Sequence, residues 1–121
     1  MNSHVIIEIL LCAIACEPVQ VKVWDGDTIR IENHGVERVR ISNIDAPEIE
    51  GQCRYEINLA QDSKHRLAAL LDGQRVEIRR EGEDRYNRTL ATLRVNGRDV
   101  GDQLVSEGLA RTWGGRREPW C

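Results

Sequence analysis

Three times between Val19 and Ile44 apolar residues fall on every second position, and twice a turn cuts the alternation. Val19, Val21 and Val23 alternate with polar residues up to the turn Asp25-Gly26-Asp27-Thr28. Thr28 to Glu32 resumes the pattern, Asn33-His34-Gly35 breaks it, and Glu37 to Ile44 carries it on. Period-two patterning marks half-buried strands, and Asp, Asn and Gly supply the tight turns between them. A three-stranded antiparallel meander is therefore predicted.

The period then lengthens. From about Tyr55 to Leu71, the residues Ala60, Ser63, Leu67 and Leu70/Leu71 recur at helical spacing, and Asp72-Gly73 ends the run. Arg75 to Arg80 and Thr89 to Val95 read as a fourth and a fifth strand, the latter closed by Asn96-Gly97. A second helix is predicted near Asp99 to Glu107, with Val100, Leu104 and Val105 inward and Gly108 as its stop. The order of three strands, a helix, two strands and a helix fits a mainly β (α+β) fold. The architecture expected is a five-stranded Greek-key OB-fold barrel with two to three helices. Such a barrel takes nucleic acid or sugar at its loop mouths, and fold alone does not choose between them.

At 121 residues one domain is expected, residues 17–121, preceded by an apolar segment, 1–16. That segment, MNSHVIIEILLCAIAC, is open to two readings. Its apolar run is too short to span a bilayer, and Ala13-Ile14-Ala15 fits the small-x-small pattern before a signal-peptidase cut. Cys16 would then lead the mature chain or carry a lipid. Against this, no Lys or Arg precedes the run, and Glu8 interrupts it. The other reading is a buried first strand or helix of the domain. Export to a periplasm or beyond follows from the first, a cytoplasmic protein from the second. The four cysteines, Cys12, Cys16, Cys53 and Cys121, form no CxxC pair, so a zinc–thiolate site is not expected. In an exported chain Cys53 and Cys121 could bridge; in a cytosolic one both would be free thiols.

The carboxylates Asp25, Asp27, Asp45 and Glu48 all lie at strand ends or turns. In a meander the end of strand one and the end of strand three share an edge, so Asp27 and Asp45 can converge. Two hard oxygen donors at a loop mouth suit Ca²⁺, with carbonyls and waters completing the shell. Arg40 lies on strand three, and Arg88 lies in the turn Asp84-Arg85-Tyr86-Asn87-Arg88. Guanidinium groups hold the charge that develops on a phosphorus under attack, and a carboxylate such as Glu48 can orient or deprotonate water. The net charge of −3 gives no global basic field toward a nucleic acid, although fifteen of the seventeen basic residues are arginine. A sugar-binding barrel would need exposed aromatics, and aromatic residues are only 4% of the chain.

The segments VWDGDTIRI, VRISNIDAPE, DRYNRTLATL and VGDQLVSEGLA occur in the order found in thermonucleases, and the chain resembles that staphylococcal-nuclease-like family over about Val19 to Arg111. The resemblance implies that Asp27 and Asp45 are Ca²⁺ carboxylates and that the backbone carbonyl of Ala46, at a position usually Thr, also meets the ion. It implies Glu48 as general base, Arg40 and Arg88 as phosphate-binding arginines, and Asp84 and Tyr86 as lining a nucleotide pocket. It further implies hydrolysis of DNA and RNA with little sequence choice, leaving 3′-phosphates. The substrate expected is single-stranded or unpaired nucleic acid, cut by a monomer with no stable protein partner and no membrane span. Two departures stand out. Asn87 replaces a frequent Gly but tolerates positive φ, and GGRREPWC (114–121) stands where the family carries a longer helix. Base stacking would then fall to Trp113 or Trp120. The alternative is a non-catalytic barrel that binds nucleic acid or protein.

Overall fold

A computed structural model describes residues 4–121. The chain runs β1 (Val5–Cys12), β2 (Cys16–Asp25), β3 (Thr28–Glu32), β4 (Val36–Ile41), β5 (Ile44–Asp45), α1 (Arg54–Leu71), β6 (Arg75–Glu83), β7 (Thr89–Val95), β8 (Arg98–Asp99), α2 (Val100–Ser106) and β9 (Arg111–Thr112). The expected meander is β2–β3–β4, antiparallel throughout. The main sheet runs β4-β3-β2-β1-β6-β7-β8, and a parallel pairing of β4 with β7 closes it. The result is an OB-type barrel with two helices, in the α+β class expected.

The barrel closes through six strands, one more than the five read from the sequence. The sixth is Val5–Cys12, the apolar run weighed above as leader or strand; the first three residues of segment 1–16 lie outside the described residues. In β1 the residues Ile7, Ile9 and Leu11 enter the core while Ile6, Glu8 and Leu10 face out. Glu8, which interrupts an apolar run when read linearly, therefore sits on the solvent side of a period-two strand. β1 pairs with β2 along its whole length, and Cys12 and Cys16 are bonded across the hairpin turn.

Val21, Val23, Ile29, Ile31, Val39, Ile41, Val76 and Leu93 fill the interior with α1 residues Leu67 and Leu71. Each such side chain contributes about 1.5–3 kcal/mol when taken out of water. α1 stops at Asp72, with Gly73 at φ +72°. α2 starts from Asp99, whose carboxylate accepts the Asp102 N–H at 2.8 Å. The seam between β4 and β7 carries a buttress: Glu37 accepts from Arg80 Nη2 and Nε, at 2.7 and 2.8 Å, and from the Thr89 hydroxyl at 2.8 Å.

Strand three ends at Ile41, not at Ile44 as expected. Ser42 and Asn43 turn the chain, and Ile44–Asp45 leaves the barrel sheet to pair with Arg111–Thr112. The turn is fixed by Ser42 N–H on the Ala91 carbonyl (2.9 Å) and by Trp113 N–H on the Asn43 carbonyl (2.9 Å). This swerve sets Asp45 against the C-terminal segment.

Candidate active site

The first wall of the site is the Asp25–Thr28 turn. Asp25 and Asp27 are buried at its two corners, and the Asp27 N–H donates to Asp25 Oδ1 at 3.0 Å. Gly26 between them is required by close approach. A Cβ there would lie 1.9 Å from Ser63 Oγ on α1 and 2.9 Å from the Ala46 side chain. The turn thus docks on the helix and on the loop after β5 at once.

Asp27 then clamps that loop. Its Oδ2 accepts the Ala46 N–H at 2.8 Å, its Oδ1 accepts the Thr28 hydroxyl at 3.0 Å, and its carbonyl accepts the Ile41 N–H at 2.8 Å. Asp45, Ala46, Pro47 and Ile49 are buried, and Glu48 projects half-buried from the same loop. Glu56, in the first turn of α1 and 4% exposed, holds the far side: it accepts the Glu48 N–H and the Gln52 N–H, both at 3.0 Å. Gly51 makes room for it, since a Cβ there would meet the Glu56 side chain at 2.6 Å.

The arginines approach from the barrel. Arg40 on β4 donates to the Ile44 carbonyl at 2.9 Å and lies 3.7 Å from Asp27 Oδ2, with its guanidinium 5.4 Å from the Trp113 ring centre. Arg88 is oriented by Asp84, Nε to Oδ2 at 2.8 Å, and lies over Tyr86 at 5.6 Å. Asp84 also accepts the Tyr86 and Arg88 N–H groups, each at 2.9 Å. Burial works against its charge, but these hydrogen bonds prevail and hold its carboxyl below the usual value. Asn87 holds φ +62°, the left-handed conformation its replacement of Gly requires.

Asp27, Arg40, Glu48 and Arg88 line one cleft of about 270 Å³, together with Asp25 and Arg117. Asp84, Tyr86 and Trp113 line a second cleft of about 560 Å³ that shares Arg40, Arg88 and Arg117 with the first. Asp45 and Ala46 lie beneath, in the buried loop. Cys53 and Cys121 are bonded, with Cα atoms 6.0 Å apart, so the C-terminus is tied to the entry of α1. Trp120 lines neither of these clefts but a neighbouring one with Glu48 and Arg117, and it packs under Arg111, whose guanidinium is 3.7 Å from the ring centre.

Two further residues join the site: Glu56, which no sequence motif singles out, and Arg117, whose place in the basic tail GGRREPWC puts it within reach of a phosphate. Arg117 reaches Glu48 through Nη1 and lies 3.5 Å from Asp45 Oδ1 through Nη2. Burial drives the Asp45 carboxyl above its usual value, with Asp27 adding to the shift and Arg117 and Arg40 opposing it. Burial drives the Asp25 carboxyl up strongly, with Asp27 as the second cause.

Among the described residues no three His, Cys, Asp or Glu side chains gather closely enough to enclose an ion by themselves. Asp45 Oδ1, 3.5 Å from Arg117 Nη2, is nevertheless buried without a hydrogen-bond partner, and Asp27 holds the adjoining Ala46 amide. Two carboxylates with carbonyl and water ligands make up an oxygen donor set that fits a hard cation such as Ca²⁺.

Fold and clefts together define an OB-type barrel with paired guanidinium groups at its mouth, a donor geometry matched to phosphate oxygens. The chain belongs to the family of staphylococcal nuclease homologues, whose model matches residues 38–119. It is 36% identical over 92 residues to a protein of Haemophilus influenzae called an uncharacterized endonuclease, covering 74% of this chain and 48% of that one. It is 36% identical over 93 residues to the thermonuclease of Staphylococcus intermedius, covering 74% and 55%. It is 35% identical over 100 residues to the micrococcal nuclease of Shigella flexneri, covering 74% and 54%. The chain spans about half the length of these curated relatives.

Proposed function

We propose that the chain is a Ca²⁺-dependent nuclease that hydrolyses phosphodiester bonds of single-stranded or unpaired DNA and RNA with little sequence choice. One observation carries this reading: Arg40, Glu48 and Arg88 share a cleft with Asp27. Asp27, Asp45 and the Ala46 carbonyl would hold the cation, which when bound supplies positive charge to a phosphoryl oxygen. Arg40 and Arg88 grip the phosphate and stabilise the charge gathering on it in the transition state. Glu48 takes a proton from water as its oxygen attacks phosphorus. The bond to the 5′ oxygen breaks, that oxygen takes a proton from solvent, and a 3′-phosphate remains. Tyr86 and Trp113 offer ring faces to a base beside the two arginines, and Asp84 fixes the Arg88 side.

Arg117 stands in the way of this sequence, because its pairing with Glu48 occupies the base. Both partners are about half exposed, and such pairs contribute only about 0–1 kcal/mol. A substrate phosphate competes for Arg117 at little cost. The same contact favours a second reading, a barrel that binds nucleic acid without cutting it.

The test is digestion of single-stranded DNA with Ca²⁺, with and without EGTA, and analysis of the product ends. Cleavage that stops with EGTA and leaves 3′-phosphates supports the nuclease. Binding without cleavage in Ca²⁺ supports the second reading. No helix among the described residues is long and apolar enough to cross a membrane. Two disulfides suit an oxidising compartment, so export is the location proposed, and titration of free thiols in protein isolated without reductant tests it.

A further inference from the structure

The face of the meander beside the catalytic cleft carries a second group of residues that the proposed chemistry does not use. Val21, Val23, Ile29, Ile31, Val39 and Ile41 point into the barrel. Lys22 and Trp24 on β2, Thr28 and Arg30 on β3, and Arg38 and Arg40 on β4 therefore share its outer face. The register sets Lys22 opposite Arg30 and Arg30 opposite Arg38, three cations in one row across the sheet. The next row sets Thr28 opposite Arg40, with Trp24 beside the β-bulge of β2.

Directly opposed like charges weaken a sheet. Among the described residues only Lys22 in this row is relieved by a carboxylate, Glu32 at 3.3 Å. Arg38 donates to the Tyr86 carbonyl, and among the described residues Arg30 forms no ion pair. A local rule broken without compensation within the fold is the mark of a functional surface. Trp24 adds an aromatic face in the neighbouring row. It meets His4 at 5.1 Å between ring centres, tilted 53°. Burial first, then Arg30, Lys22 and Lys64, lower the His4 pKa, so the imidazole stays neutral near pH 7.

These residues bound a cavity of about 280 Å³ lined by His4, Trp24, Thr28, Arg30 and Arg38. It shares Trp24, Thr28 and Arg38 with the cleft that holds Arg40 and Glu48. Its size is near the lower limit of about 300 Å³ for small-ligand pockets, room for one base rather than a duplex. Residues two apart on a strand are about 6.7 Å apart, comparable with one repeat of an extended nucleotide backbone. Arg40 and Arg38 thus stand one step apart along β4, the first at the cleft and the second at the cavity.

We propose that this face is a binding site for the next nucleotides of a single strand, with Trp24 stacking on a base and Arg30 and Arg38 holding the phosphates that flank it. This rests on the nuclease reading for its substrate class, but it concerns residues outside the catalytic set. It accounts for how a chain of net charge −3 attracts a polyanion: the positive charge is local and leads away from the cleft.

The test uses the full chain in excess EGTA and measures binding of a fluorescein-labelled oligothymidylate of about twelve nucleotides, within the range of single-strand site sizes. Trp24→Leu should weaken binding about tenfold, as loss of one base stack does. Arg30→Gln should weaken it several-fold and reduce the salt slope by about 0.7. Arg98→Gln, an exposed arginine on β8 outside both clefts, should leave it unchanged. Equal losses in all three variants, or none in Trp24→Leu and Arg30→Gln at unchanged melting temperature, would overturn the site. The wild type is assayed for cleavage with Ca²⁺ in parallel. Absent cleavage with the expected binding losses removes the nuclease and keeps the strand site; cleavage without those losses does the reverse.

Discussion

The Asp25–Gly51 region and the C-terminal tail both reach Glu48, but they are built by opposite means. The first is a set of buried clamps: Asp27 on the Ala46 amide, Glu56 on the Glu48 and Gln52 amides, Gly26 pressed against Ser63. The second is an exposed segment fixed at its end by Cys53–Cys121 and by Arg111, whose Nη1 donates to the carbonyls of Glu118 and Pro119 at 3.2 and 3.0 Å. Buried hydrogen bonds to charged groups resist exchange with water, while exposed ion pairs are easily replaced. Precise placement of the carboxylates is therefore assigned to the loops, and reversible cover of them to Arg117.

The largest effect expected among the ways to break this contrast is at the wall both regions face. Arg40→Lys keeps a charge but loses the two-pronged contact, and kcat should fall about a hundredfold or more with the melting curve little changed. A fall of less than fivefold would mean that β4 supplies only charge to the site. Next is the tether. Replacing Cys53 and Cys121 together with Ser opens a link across a sequence separation of 68 and should cost about 2–4 kcal/mol in a urea titration. Gly26→Ala attacks the clamps from within. Its Cβ collides with Ser63, and about 1–3 kcal/mol should be lost, part of it recovered by adding Ser63→Ala. Smallest is Arg117→Ala, for which kcat/KM should change less than about fivefold. A large rise there would make the tail an inhibitory element, and a large fall would place Arg117 on the phosphate.

The parts of this contrast were not equally legible in the sequence. The β2–β4 meander and α1 stood out because their residues keep one period over several turns of pattern, whereas the swerve of Ile44–Asp45 out of the meander, which positions Asp45, follows from pairing with Arg111–Thr112 far along the chain. β1 was ambiguous because an apolar run with one Glu reads equally as leader or strand until a partner fixes which face Glu8 takes. Glu56 was hidden for a related reason. A first-turn glutamate normally faces water, and only the path of residues 46–52 over the helix turns it into a buried clamp. Gly26 and Gly51 carry close approaches between segments far apart in sequence, which no local pattern encodes. Arg117 lies in a tail with no periodicity at all, and its position follows from the disulfide and from Arg111.

The central claim is that the clamped loop presents Glu48 as the base for water attack on a phosphate held by Arg40 and Arg88. It is tested most directly by kcat and KM for single-stranded DNA in Ca²⁺ with Glu48→Gln, which keeps the side chain's shape and removes its basicity. kcat should drop about 10²- to 10⁴-fold with KM nearly unchanged. A variant that keeps wild-type kcat would contradict the claim.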